Sequence, residues 1–123
     1  MKDLTQFENQ TFLNIETRRK DGTTVATPVW FIKDGESLLI RTIDGSGKVK
    51  RVKNHPTVRV MPCGAQGEVL GTWQEGTATV DGSEAYGRMR QMLEAKYGEN
   101  VGQFEARTHA GGNTYTVIKV TLA

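Results

Sequence analysis

The run Thr27-Pro-Val-Trp-Phe-Ile-Lys33, then Asp34-Gly35, then Ser37-Leu-Leu-Ile-Arg-Thr42, decides the fold of this chain. Both longer runs are rich in aliphatic, β-branched and aromatic residues, and the Asp-Gly pair between them is a hairpin signal. The sequence therefore predicts two antiparallel strands, Val25 to Lys33 and Ser37 to Thr42. Proline cannot donate a ladder hydrogen bond, so we expect Pro28 at a sheet edge or at a bulge.

A glycine-rich loop and a basic segment follow these strands. Gly45-Ser-Gly47 leads into Lys48-Val-Lys-Arg-Val-Lys-Asn54, and Pro56 blocks any continuation of a helix. The segment predicts a short helix whose first turn carries Lys48, Lys50 and Arg51. Backbone N–H groups at a helix start, the helix dipole and nearby cations together bind phosphate or carboxylate groups. We therefore predict an anion-binding site here; the alternative is a solvated helix face.

The spacing of the basic residues divides them into two groups. Lys48 and Arg51 are three residues apart and share a helix face, so both can reach one anion. Val49 and Val52 point to the opposite face and are expected to anchor the helix to the rest of the molecule. Lys50 and Lys53 point elsewhere and are available to a second anionic group.

The charge of the chain is concentrated in this region. The formal net charge is +2, but five cations and no acid lie between Gly45 and Gly67, so the remaining residues carry −3. A focused patch favours a local anionic ligand over a nucleic acid, which usually meets cations spread over a face. The pI of about 8.8 leaves a small nucleic-acid-binding barrel as a distant alternative. Single-strand binders interleave aromatic residues with their cations, and this segment has none.

Composition limits the class of protein. The 123 residues are expected to form one domain, 1–123, and contain no apolar run of roughly 20 residues that could cross a membrane. Residues 1–10 lack the pattern of a signal peptide, so we expect a cytoplasmic protein without a membrane partner. Cys63 is the lone cysteine, expected to be an inert thiol, and two scattered histidines add no metal site.

The remaining patterns predict a mainly β protein. Six strands are expected, at Phe12 to Arg18, Val25 to Lys33, Ser37 to Thr42, Thr57 to Met61, Glu68 to Val80 and Thr114 to Leu122. One longer helix is expected after Asp81, as its cap, up to Gly98, and two short ones at Asp3 to Gln10 and in the basic segment. Gly102 to Asn113 predicts a helical turn and a Gly-Gly loop. Closely spaced strands in hairpin order favour a closed or half-closed antiparallel barrel.

The chain also resembles a known family along nearly its whole length. The resemblance is carried, in order, by Leu13-Asn-Ile-Glu-Thr-Arg-Arg19, Asp21-Gly22, Thr27-Pro-Val-Trp-Phe31, Arg41-Thr42, Ser46-Gly-Lys-Val-Lys-Arg51, Asn54-His-Pro56, Val58-Arg-Val60, Gly71-Thr-Trp73 and Lys96-Tyr-Gly98. These segments resemble the split β-barrel flavin and deazaflavin oxidoreductases, which are relatives of pyridoxamine 5′-phosphate oxidase. The most similar branch is the one that uses coenzyme F420.

The resemblance implies a homodimer with two equivalent cofactor sites at the subunit interface. It implies that the cofactor ring lies along the strand backbone of Pro28, Val29, Trp30 and Phe31. It implies a phosphate at Thr42, Lys48, Lys50 and Arg51, and a ring contact from Trp73 of the partner chain. Trp30 is equally well explained as a core aromatic, and Trp73 as dimer-interface packing.

The expected activity is that of an F420-dependent reductase. Hydride would pass from the reduced deazaflavin to a planar unsaturated acceptor, such as a quinone or a tetrapyrrole, and the chemistry would need no catalytic side chain or metal. The alternative cofactor is FMN, in an enzyme or in a flavin or haem carrier. The cations beyond the phosphate site favour F420, because its tail continues past the phosphodiester into a chain of glutamates.

Overall fold

The strands and helices are defined by a computed structural model that describes residues 4–112 and 114–123. The strands are β1 (Phe12–Arg18), β2 (Thr24–Trp30), β3 (Ile32–Asp34), β4 (Ser37–Ile43), β5 (Thr57–Cys63), β6 (Gln74–Val80) and β7 (Tyr115–Leu122). The helices are α1 (Gly47–Asn54), α2 (Ser83–Tyr97) and α3 (Asn100–Ala110), with a 3-10 turn at Thr5–Phe7. No helix in the described part of the chain is long and apolar enough to cross a membrane.

The strands form one antiparallel sheet that curls into a split barrel. Its order is β2-β1-β5-β6-β7-β4-β3. β2 and β3 are the two edges of the sheet, yet only Phe31 separates them along the chain. The backbone at Phe31 therefore joins the two edges, and the sheet curls to allow this. The mainly β, antiparallel split-barrel prediction is confirmed.

The predicted strand Val25 to Lys33 is in fact two strands. β2 pairs with β1, whereas β3 pairs with β4 at the opposite edge, so the described residues hold seven strands rather than six. Pro28 lies on the edge strand β2, opposite Asn14, and the predicted edge position is confirmed. The break at Phe31 is the reason for the extra strand.

Two apolar clusters hold the sheet and its helices together. Alternate residues of β4 face opposite sides: Leu38 and Ile40 belong to the barrel core, and Leu39 belongs to the second cluster. The barrel core also takes Val52 of α1, so this helix packs against the barrel as expected. The second cluster lies under α2 and α3 and includes Met89. The outer face of β4 is therefore covered by these two helices.

The predicted long strand Glu68 to Val80 is wrong in its first half. β6 begins at Gln74, and residues 64–73 form a loop that keeps only an isolated bridge between Cys63 and Val69. The Gln6 side chain donates to the Thr72 carbonyl at 2.9 Å and accepts from the Thr72 N–H at 3.0 Å. A side chain thus satisfies backbone groups that a neighbouring strand would otherwise bind.

The helix predictions also need correction. α3 runs over Asn100–Ala110, three turns instead of the single turn predicted within Gly102 to Asn113, and Asn113 lies outside the described residues. The N-terminal helix is only the Thr5–Phe7 turn, and Asp3 of that prediction is likewise not described.

Asp81 does not cap α2, which starts after Gly82. The Thr116 hydroxyl accepts the Gly82 N–H at 3.0 Å instead, while the Asp81 carboxylate accepts from the Thr79 hydroxyl at 2.9 Å. Thr116 on β7 therefore binds a backbone N–H at the start of α2, whereas the local sequence had suggested Asp81 for this role.

Candidate functional site

Arg51 lies in the last turn of α1, not in the first turn as predicted, but its side chain reaches back to the first turn. Its Nε donates to the hydroxyl of Thr17, a fully buried residue of β1, at 2.7 Å. The guanidinium also lies so close to Gly47 that a Cβ there would be 2.7 Å from Nη1. Arg51 is therefore folded back over the first residue of its own helix, where the helix dipole is positive.

Lys48 is close enough to Arg51 to be affected by its charge. Burial, and then repulsion from Arg51, lower the pKa of the Lys48 ammonium below its ordinary value. Neither residue takes part in any ion pair within the described residues. Two like charges without a carboxylate form a site where an anion relieves repulsion as well as making hydrogen bonds.

Hydroxyl groups complete this candidate phosphate site, which we define as Thr42, Ser46, Lys48 and Arg51. Thr42 is buried near the end of β4, and its Oγ1 lies 3.3 Å from Oγ of Ser46, the residue before α1. The structure thus brings together three of the predicted phosphate residues: Thr42, Lys48 and Arg51. Lys50 is exposed on α1, and its contact with the phosphate stays a prediction.

Trp30 ends β2 and is packed by the outer helices. Its ring stacks on Tyr97 at 4.2 Å with an interplanar angle of 12°, and Phe104 of α3 meets it edge-on at 5.1 Å. The side chain therefore has the packing role that was the alternative to a ring platform. The Trp30 backbone, like those of Pro28 and Val29, lies on the edge strand β2.

The backbone of Phe31 is bound by the end of α2. Its N–H donates to the Tyr97 hydroxyl at 3.0 Å, and its carbonyl accepts from Nζ of Lys96 at 2.9 Å. The Tyr97 hydroxyl donates in turn to the Thr11 carbonyl at 2.7 Å. Burial raises the pKa of Tyr97 to about 12 and lowers the pKa of Lys96 to about 8. Phe31 therefore belongs to the junction of β2 and β3, and both its backbone polar groups are engaged there.

Asn14 is a candidate site residue that the sequence interpretation did not single out. It lies opposite Pro28, and its buried Oδ1 has no hydrogen-bond partner among the described residues. Buried polar atoms are nearly always paired, so an orphan acceptor is a reason to look for a ligand donor. The only signal in the sequence is a polar residue between Leu13 and Ile15.

Arg41 is a second residue that was missed. Its guanidinium carbon lies 4.4 Å from the centre of the Tyr115 ring and 5.2 Å from that of Trp30. Its Nη1 is buried and has no hydrogen-bond partner in the described part of the chain. Arg41 also adjoins a cavity of about 220 Å³, which is lined by Val29, Trp30, Arg41 and Phe104.

Trp73 lies just before β6, at the end of the 64–73 loop. The Arg59 guanidinium is 4.9 Å from the centre of its ring, and Glu16 holds that guanidinium through two bonds of 2.8 Å. Trp73 is thus anchored to β1 and β5 of its own chain. Val69 and Leu70, in the same loop, are 72% and 55% exposed.

Among the described residues, the other reactive groups do not form a metal centre. No group of three or more His, Cys, Asp or Glu residues within the described chain could hold a metal ion. Cys63 is buried at the end of β5, and burial followed by the Glu68 charge raises the pKa of its thiol. The thiol is therefore protonated near neutral pH, as expected of an inert residue.

Comparison with known protein families identifies the chain. The family described as pyridoxamine 5′-phosphate oxidase matches residues 2–123. This chain belongs to the pyridoxamine 5′-phosphate oxidase family. The resemblance noted in its sequence is thereby confirmed, since the family match extends over nearly the whole chain. A comparison with curated proteins gives no match.

Solved structures share the fold of this family member at low identity. HutZ, described as the haem storage protein of Vibrio cholerae, has a TM-score of 0.71 and 12% identity over 97% of this chain and 86% of its own. A protein described as an F420 reductase has a TM-score of 0.64 and 18% identity over 97% and 91%. A pyridoxamine 5′-phosphate oxidase-related, FMN-binding protein of Nostoc punctiforme has a TM-score of 0.60 and 12% identity over 91% and 70%. These likenesses establish the fold of the chain and leave its cofactor open.

Proposed function

We propose that this member of the pyridoxamine 5′-phosphate oxidase family is an F420-dependent reductase that acts on a planar unsaturated acceptor, such as a quinone or a tetrapyrrole. FMN is the alternative cofactor. The observation that carries the proposal is the pair of cations Lys48 and Arg51 at the start of α1, with no ion-pair partner in the described chain. The pair suits the phosphate group that both cofactors contain.

The candidate phosphate site supplies both charge and direction. The Nε atom of Arg51 is bonded to Thr17, which fixes the guanidinium, and the two Nη atoms can donate to an anion. Lys48 adds a second positive charge, and a bound phosphate would stabilise the protonated form of its ammonium group. The hydroxyls of Thr42 and Ser46 are at the same helix start and can donate to phosphate oxygens.

The edge strand β2 provides the backbone groups that would bind the cofactor ring. An edge strand has unpaired backbone groups, and a flat heterocycle with imide N–H and carbonyl groups can bind them as a neighbouring strand would. The orphan Oδ1 of Asn14 lies on the next strand, opposite Pro28, and would be an acceptor for a ring N–H that reached it. When bound, the reduced cofactor supplies a hydride to the acceptor, and a proton from solvent completes the reduction. The residues of this chain then serve to position the two reactants and exclude water.

The exposed cations of α1 favour F420 over FMN. Lys50 and Lys53 are exposed and form no ion pair among the described residues. FMN ends at its phosphate, whereas the glutamate tail of F420 continues past it and would meet further positive charge. The likeness in fold to the protein described as an F420 reductase is compatible with this choice.

We also propose that the working unit is a homodimer. An open edge strand and a shallow barrel surface leave a tricyclic ring exposed, so a second protomer would exclude water from it. The exposed Val69 and Leu70 beside Trp73 provide an apolar surface of the kind that subunit interfaces bury. Trp73 would then contribute to the interface or to the partner's ring site.

A carrier without turnover is the second candidate function. It is favoured by the likeness in fold to the haem storage protein HutZ. Turnover separates the two: a reductase consumes reduced F420 or reduced FMN when menadione is added, and a carrier does not.

The deciding experiment is a titration of the same purified sample with F420 and with FMN, followed by cofactor fluorescence. We expect saturable binding, tighter for F420, with one site per protomer in a dimer whose mass is measured by light scattering. Tighter binding of FMN would transfer the proposal to the alternative cofactor. Binding of neither cofactor would overturn it.

A further inference from the structure

Arg41 is held in an unusual environment for an arginine. Its guanidinium lies between the rings of Tyr115 and Trp30, at 4.4 and 5.2 Å from their centres. Cation–π contacts stabilise the charge without using the hydrogen-bond donors of the guanidinium, which also makes a side-chain hydrogen bond with Tyr86. Nη1 is buried without a partner among the described residues, which costs free energy comparable to a lost hydrogen bond to a charged group.

The neighbouring groups do not neutralise this charge. Burial and a hydrogen bond with Glu105 raise the pKa of Tyr86 to about 12, although a hydrogen bond with Arg41 and the Arg41 charge act in the opposite direction. The Tyr86 phenol is therefore neutral at physiological pH. The Glu105 carboxylate is bonded to Tyr86 and to Arg90, and no ion pair within the described residues involves Arg41.

A cavity adjoins Arg41. It has about 220 Å³ and is lined by Val29, Trp30, Arg41 and Phe104. Drug-sized ligands need roughly 300–1,000 Å³, so this cavity suits one aromatic ring and its substituent. Phe104, which is 39% exposed, forms a wall of the cavity that is open to solvent. Apolar walls with one cationic donor recognise a flat ring that carries a negative charge.

We propose that this cavity binds the electron acceptor, and that the acceptor is a planar unsaturated molecule of about one ring, a quinone rather than a tetrapyrrole, with a carboxylate that bonds to Arg41. The proposal rests on the proposed function, because it assigns the acceptor of that reaction to a cavity beside the cofactor strand. Val29 and Trp30 both line the cavity and both belong to β2, so an acceptor there lies next to the ring that β2 is proposed to bind. No bond is made or broken at Arg41, which selects and orients the acceptor.

The test uses tryptophan fluorescence of the cofactor-free protein. The chain has two tryptophans, Trp30 and Trp73, so the Trp73→Phe variant reports on the cavity alone. The probe is 4-nitrobenzoate, a planar anion whose nitro group quenches indole emission, and the neutral comparison is its methyl ester. We expect saturable quenching by the acid and at least roughly tenfold weaker binding of the ester, since a hydrogen bond between charged groups contributes about 1.5–3 kcal/mol.

Arg41→Gln should remove the preference for the acid. The matched control is Arg107→Gln, which removes an exposed guanidinium 5.3 Å from the centre of the Phe104 ring and should leave the preference intact. Equal binding of acid and ester to protein that retains Arg41, or no quenching by either, would overturn the proposal. This comparison needs no variant at Arg41, so it holds even if Arg41→Gln fails to fold.

Cofactor titrations on the same variants separate this inference from the proposed function. Arg41→Gln should bind F420 or FMN within about twofold of the parent protein while losing the acid preference. A loss of cofactor affinity as large as the loss of probe affinity would assign the cavity to the cofactor and overturn the inference. Selective binding of the acid by a protein that binds neither cofactor would uphold the anion site and refute the proposed function.

Discussion

The Tyr97 hydroxyl accepts a hydrogen bond from the backbone N–H of Phe31 at 3.0 Å, across 66 residues of sequence. Phe31 is fully buried and is the residue that separates β2 from β3. A backbone donor that leaves the sheet at this point has no strand partner, and the end of α2 provides one. The helix therefore stabilises the break that lets one segment form both sheet edges.

Tyr97→Phe should destabilise the protein by about 1–3 kcal/mol, because the buried Phe31 N–H loses its acceptor. The ring stack with Trp30 is retained in this variant, so the loss reports on the hydroxyl. Urea denaturation followed by circular dichroism gives the free energy of unfolding. An unchanged midpoint and slope would show that water replaces the hydroxyl at no cost.

Lys48→Ala combined with Arg51→Ala should weaken cofactor binding by at least about a hundredfold, since two charge-assisted contacts to phosphate are lost. The stability of the fold should fall by only about 1 kcal/mol, because relief of the repulsion between two like charges offsets part of the lost hydrogen bond to Thr17. The matched control, Arg88→Ala with Lys119→Ala, removes the same charge at exposed positions outside α1. Equal affinities of the two double variants would contradict the location of the phosphate.

Gly47→Ala should lower the affinity for the cofactor without lowering the stability of the fold. The new Cβ would meet Nη1 of Arg51 at 2.7 Å, and the guanidinium, as the end of a flexible side chain, would move away. We expect weaker cofactor binding with stability equal to or above that of the parent, because alanine favours helix over glycine. Gly87→Ala is the control, since nothing lies within 4 Å of its Cβ position in α2. If both variants bind cofactor equally well, the position of Arg51 does not matter.

Lys96 should make stability depend on pH in the alkaline range. Burial lowers its pKa to about 8 in the folded state from 10.5 in the unfolded chain. Between these values the unfolded state holds more protons, so the free energy of unfolding rises with pH. The difference in thermal stability between the parent and Lys96→Met should therefore shift in favour of the parent from pH 8 to pH 10.5. A constant difference over this range would contradict the lowered pKa.

Local sequence patterns predicted most of the strands, but they did not predict the break that lets the sheet curl into a barrel. β1 has the predicted bounds Phe12–Arg18, because alternation and a following hairpin turn are local signals. The break at Phe31 has no local signal, since neither glycine nor proline interrupts Trp30 to Lys33. It depends on contacts from Lys96 and Tyr97, far along the chain. Sequence reasoning cannot place such partners before the fold is known.

The candidate site likewise contains residues that the sequence predicted and residues that it did not. The basic turn of α1 was predicted because a glycine-rich loop, cations and a missing acid are visible within one short segment. Asn14 and Arg41 were missed because their significance lies in buried atoms without partners, which only the packing of other elements creates. Trp30 was left undecided between core and ligand for the same reason, and α2 and α3 determine its surroundings.

The position of β7 between β6 and β4 has a consequence for synthesis on the ribosome. The hairpin of β3 and β4 emerges early, but the strand that joins it to the rest of the sheet is Tyr115–Leu122. Until that strand leaves the exit tunnel, β4 exposes an open edge to other nascent chains. A ribosome stalled before Tyr115 would therefore hold a product prone to aggregation, and completion of the barrel must follow translation of its last strand.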